Sequence, residues 1–68
     1  MAAANDRSYD FRFTYRLPAD DCEYVEEISF DHDEGIRTPA QARAAFERHW
    51  KEKGGVKVVR VELVAVLA

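Results

Sequence analysis

The chain of 68 residues is predicted to fold as a small α+β domain: a three-stranded antiparallel sheet in the order β-β-α-β, with one helix packed on one face. Three observations carry this. Residues 9–17 alternate between large apolar and polar side chains, residues 38–55 open on a helix cap and close on a glycine pair, and residues 56–67 are rich in valine.

The first segment, residues 9–17, places Tyr9, Phe11, Phe13, Tyr15 and Leu17 on one side, the period-2 signature of a half-buried strand. Pro18 cannot donate to a strand ladder, and with Ala19, Asp20 and Asp21 it makes a short connection. In the second strand, residues 22–30, Cys22, Tyr24, Ile28 and Phe30 face the same core. Glu26 interrupts that face and suggests a bulge or a sheet edge. Residues 31–35 form a turn. Thr38 is then the helix N-cap, Pro39 the first helical residue and Gln41 the capping-box partner. Ala42, Ala45, Phe46, His49 and Trp50 recur at three- and four-residue spacing as a buried stripe, with Arg43, Glu47 and Lys51 on the wet side. Glu47 with Lys51 and Arg48 with Glu52 are spaced for intrahelical pairs. Lys51 and Lys53 suit the negative helix end, and Gly54-Gly55 supplies a left-handed exit. The last strand, read as a plain alternation, puts Val59, Val61, Leu63 and Ala65 on one face and Val58, Arg60, Glu62, Val64 and Val66 on the other.

A hairpin of the first two strands, with a helical return to the third, gives the spatial order 2-1-3 with the aromatic strand in the middle. A truncated β-grasp arrangement is the competing fold. Residues 1–8 read as a flexible N-terminal tail and residues 9–68 as the single domain. A chain this short buries only roughly 60% of its unfolded surface, which leaves little depth for an enclosed active site. Its longest strongly apolar stretch, residues 63–68, is far short of a membrane span. One cysteine, Cys22, excludes an internal disulfide and a cysteine-rich zinc site. With no basic-apolar leader at the start, a cytoplasmic location is expected.

The net charge of −3 conceals a division. Eight of the thirteen acids, Asp20, Asp21, Glu23, Glu26, Glu27, Asp31, Asp33 and Glu34, lie in residues 20–34, which contain no Lys or Arg. That window carries −8; the remaining ten basic and five acidic side chains sum to +5.

No catalytic constellation is legible. The glycine pair follows a helix instead of opening one, the wrong context for a phosphate loop. Asp31-x-Asp33 resembles the start of a calcium loop, but the twelfth position is Ala42 where a Glu is required, so no metal or other cofactor is expected. Neither Ser8 nor Ser29 sits in a nucleophile motif. Arg12, Arg16, Lys57 and Arg60 offer a basic sheet face for nucleic acid, yet Glu23, Glu27 and Glu62 on neighbouring strands are placed to neutralise it. The acidic window is the stronger candidate: a field of one sign attracts a partner of the other, much as a phosphate backbone does. Its structural counterpart is a charged edge strand protected against strand addition.

The capped helix Thr-Pro-x-Gln-Ala-x-x-Ala-Phe, leading through Gly-Gly to a valine-rich last strand over residues 9–67, resembles small proteins of bacteriophages and mobile elements, anti-CRISPR inhibitors among them. The resemblance is one of size and topology. It implies a non-enzymatic inhibitor in a bacterial host cell that docks on a CRISPR effector complex and blocks DNA binding or nuclease recruitment. The expected contact residues are the eight acids of the window, and the expected partner surface is basic. The alternatives are a homodimeric structural or regulatory domain joined through Val64, Val66 and Leu67, and a small nucleic-acid-binding module using the four basic residues above.

Overall fold

A computed structural model describes residues 7–67. Three strands and a helix follow the expected order: β1 (Ser8–Arg16), β2 (Glu23–Asp31), a short 3-10 turn (His32–Glu34), α1 (Pro39–Lys51) and β3 (Lys57–Leu67). The sheet is antiparallel throughout, in the order β2-β1-β3. Residues 1–6 of the expected tail lie outside the described residues, as does Ala68. Ser8, read as tail, is already in the sheet, opposite Asp31 on one side and Leu67 on the other.

Local chemistry sets the helix ends. Thr38 Oγ1 accepts from the Gln41 amide (3.2 Å) while Gln41 Oε1 accepts from the Thr38 amide (3.1 Å), closing the capping box. The Arg37 amide donates to the same Gln41 oxygen at 2.9 Å. At the other end the Gly55 amide donates to the Trp50 carbonyl (2.9 Å), with Gly54 and Gly55 at φ of 103° and 89°. Those angles are open to glycine at little cost and strained for other residues. The helix ends at Lys51, so Lys53 lies in the turn beyond it.

The core lies between β1 and α1. Phe11, Phe13, Tyr15, Ala42, Phe46 and Val58 are buried. Phe13 and Phe46 stack at 4.3 Å with rings 10° apart, and Tyr15 meets Phe46 edge-on at 5.0 Å. The buried stripe of the helix is narrower than its periodicity predicts. Ala42 and Phe46 are covered, Ala45 and Trp50 half-buried, and His49 is exposed. Glu47 reaches back to Arg43 (3.2 Å) instead of forward to Lys51.

The third strand departs most from expectation. Plain alternation sets Val58 and Val66 opposite in face to Val61 and Leu63. In the sheet, Val58, Val61, Leu63 and Val66 stand directly across from Tyr15, Phe13, Phe11 and Tyr9, and so share the helix face. Two register shifts, between Asp10 and Phe11 and between Thr14 and Tyr15, produce this. The cause is length: eleven residues of β3 run beside nine of β1, and the two extra residues, Val59 and Val64, are taken up as bulges. The pairing of β1 with β2 has no shift over nine consecutive rows.

Candidate functional site

The face of the sheet away from the helix is built in rows fixed by register. Glu27, Arg12 and Glu62 form one row, and Glu23, Arg16 and Lys57 another. Arg12 uses Nε and Nη2 on Glu27 Oε2, each at 3.0 Å. Arg16 divides its guanidinium between Glu23 (3.5 Å) and Asp21 (3.8 Å). The Arg12–Glu27 and Arg16–Glu23 pairs are half-exposed, so each contributes at most about 1 kcal/mol, but together they tie β2 to β1 by charge as well as by ladder; Asp21, in the connection, is fully exposed. Ser29 Oγ donates to Asp10 on the next row. All six aromatics of β1 and β2 lie on the helix face, and among the described residues the open face presents none on which a base would stack. Arg12, Arg16 and Arg60 each have a carboxylate within 4.0 Å, Arg60 reaching Glu62 at 3.9 Å.

The eight acids of residues 20–34 are all exposed, but they do not form one cluster. Glu23 and Glu27 stand on the open face, opposite Arg16 and Arg12. Glu26 is on the helix face, opposite Phe13, where its Oε1 accepts from the Tyr15 hydroxyl at 3.3 Å. Asp20 and Asp21 occupy the connection at one end of β2, where Asp20 accepts from the Tyr24 hydroxyl (2.6 Å) and the Cys22 amide (3.1 Å). Asp31, Asp33 and Glu34 gather at the other end, with Glu34 accepting from the Asp31 amide at 2.7 Å. Strand β2 therefore carries acids at both tips and on both faces. Cys22 is exposed beside Glu23, at the edge of the strand and outside the core expected for it.

Two phenols feel this charge. Burial, and then the Glu26 carboxylate, raise the Tyr15 pKa. The hydrogen bond to Asp20 pushes Tyr24 up to about 12, with desolvation adding to it. Because the folded value lies above the ordinary 10, the contribution of Tyr24 is fully present below about pH 10 and is lost as pH rises through about 12. The melting temperature of the wild-type chain is expected to fall more steeply across that window than that of Tyr24→Phe. Circular dichroism melts at several pH values check this, and equal slopes would contradict the Asp20 bond as the cause.

Beside β2 the helix leaves a groove of about 310 Å³ lined by Ile28, Phe30, Ala45, Phe46 and His49. His49 Nε2 lies 3.4 Å from Lys53 Nζ, whose ammonium is 5.6 Å from the Trp50 ring centre. Among the described residues no three His, Cys, Asp or Glu side chains converge as metal ligands, and no helix is long and apolar enough to cross a membrane.

Comparison with protein-family models, with curated proteins and with solved structures returns no match.

Proposed function

We propose that the chain is a non-enzymatic protein-binding domain that docks through the acidic β2 edge and its two tips on a basic protein surface. In line with the resemblance to phage inhibitors, the partner proposed is a CRISPR effector complex, at the surface that receives DNA. One observation carries the reading: eight exposed carboxylates lie on an edge strand and at its two tips, and among the described residues only Arg12 and Arg16 are seen to pair with any of them. Eight negative and two positive charges leave an excess of six negative. Such an edge repels other strand edges and attracts a cationic channel, where it competes with phosphate for the same side chains.

The test is affinity for a purified effector complex as salt rises from about 0.1 M to 1 M, where the screening length falls from roughly 10 Å to 3 Å. Binding is expected to weaken over that range. It is also expected to weaken in the variant with Glu23→Gln, Glu26→Gln, Glu27→Gln and Asp31→Asn, whose fold is checked by circular dichroism. Equal affinity of that variant removes the acidic-edge mechanism, and absence of a complex with effectors of several types removes the CRISPR assignment.

A further inference from the structure

Strand β3 is the other edge of the sheet, and its character is the reverse of β2. Six large hydrophobic side chains stay exposed among the described residues, and five of them, Val59, Leu63, Val64, Val66 and Leu67, lie on β3 at 38–52% exposure. Scattered apolar residues on a surface are ordinary, but a row of them along an open strand edge marks a surface that is covered.

We propose that what covers it is a second copy of the chain: two β3 strands pair antiparallel about a two-fold axis at Val61, giving one six-stranded sheet with a β2 strand at each outer edge. Charge selects this register. Arg60 and Glu62 flank Val61 and both stand on the open face, opposite Thr14 and Arg12. With Val61 on the axis, Arg60 of each copy lies directly across from Glu62 of the other, making two cross-strand ion pairs, and Val59 meets Leu63 in the next row. Moving the axis to Glu62 sets like charges against each other, and moving it to Arg60 does the same. Arg60, Val61 and Glu62 lie in the regular stretch between the two bulges, so the three central rows of the pairing extend without interruption. The Val58 carbonyl, which accepts from Arg43 Nη2 at 3.4 Å, lies toward the end of this ladder and away from its centre.

Packing agrees with the same two-fold. The helix covers the first half of β3, where Val58 is buried and Val61 packs on the core, and leaves Leu63 and Val66 open on the same face. Antiparallel pairing sets the covered half of one strand beside the uncovered half of the other. Both helices then lie on one face, each flanking the apolar residues that the other copy leaves bare. Growth stops at two, because the edges that remain carry the carboxylates of β2. The pairing is independent of the acidic-edge reading, since the two surfaces lie on opposite sides of the sheet.

The test is sedimentation of the full chain over a range of concentrations. The wild-type chain is expected to reach twice the monomer mass. Arg60→Glu and Glu62→Arg each replace both cross-strand attractions by repulsions and are expected to weaken association about tenfold or more. An equimolar mixture of the two variants restores complementary rows and is expected to form the heterodimer. A wild-type chain that stays monomeric, variants that associate as tightly as wild type, or a mixture that fails to associate each overturns the pairing. Should either variant lose its fold by circular dichroism, Val64→Lys, at an exposed bulge, decides the matter. Dissociation with the fold intact supports the β3 interface, and an undiminished dimer refutes it.

Discussion

Phe46→Ala is expected to leave the chain largely unfolded. The side chain is 2% exposed and joins α1 to the central strand, stacked on Phe13 at 4.3 Å and edge-on to Tyr15 at 5.0 Å. Truncating a buried phenylalanine costs about 3–5 kcal/mol, while a domain of this length holds roughly 3–10 kcal/mol in total. The rest of the helix offers less: Ala42, the other buried residue, is small, and Trp50 is half-buried and meets only the Tyr15 ring of β1, at 5.9 Å. Arg48→Ala, on the exposed side, is the control and is expected to change stability by less than about 0.5 kcal/mol. Urea denaturation followed by circular dichroism measures both. A loss below about 1 kcal/mol at Phe46 would mean that the helix is held by something other than this ring stack.

A second large effect comes from register. Strand β1 is paired on both sides, so one alanine inserted between Arg12 and Phe13 must either turn Phe13 and Tyr15 onto the open face or open a bulge against two neighbours at once. Exposing those rings forfeits roughly 1.5–3 kcal/mol each, and loss of the cooperative unfolding transition is expected. Deleting Val59 has the opposite outcome. It removes the extra residue of a bulge and makes Val58 opposite Tyr15 and Arg60 opposite Thr14 consecutive rows, with every remaining side chain on its present face. That deletion is expected to keep the fold and to change stability by no more than about 1 kcal/mol. A chain destabilised as much by losing Val59 as by the insertion would contradict the bulge.

The contrast shows which parts of the fold the amino-acid order makes legible. The cap at Thr38 and the exit at Gly54-Gly55 are readable because each is settled within four residues by hydrogen bonds and backbone angles. The faces of β1 are readable because its alternation is strict and its outer neighbour pairs with it without a shift. Strand β3 is not, because valine serves either face and nothing at Val59 or Val64 marks a bulge. The phase of that strand is decided by the shorter partner beside it, which is tertiary information. His49 fails as a core residue for a similar reason. Its spacing puts it on the apolar stripe, but α1 lies toward β3, and the side of the helix nearest β2 borders the groove instead. The acids are visible as a run, and the pairings of Glu23 and Glu27 with Arg16 and Arg12 follow once the hairpin register is known. Their spread to the two tips and both faces of β2 depends on the strand's full length in the sheet.

With apolar and acidic residues on separate edges, a self-associating surface and a partner-binding surface need not exclude each other, although the sequence sets them out as alternatives. A dimer through β3 would carry two acidic edges facing away from each other.

Trp50 gives the chain a built-in optical gauge. It is the sole tryptophan, with its ring centre 5.9 Å from Tyr15 and 6.4 Å from Phe46. Transfer of excitation from Tyr15 to the indole falls steeply with distance, so it is strongest while the helix rests on the central strand. Tyrosine-excited indole fluorescence therefore reads docking of α1 on β1, the step that closes the core, without any attached dye.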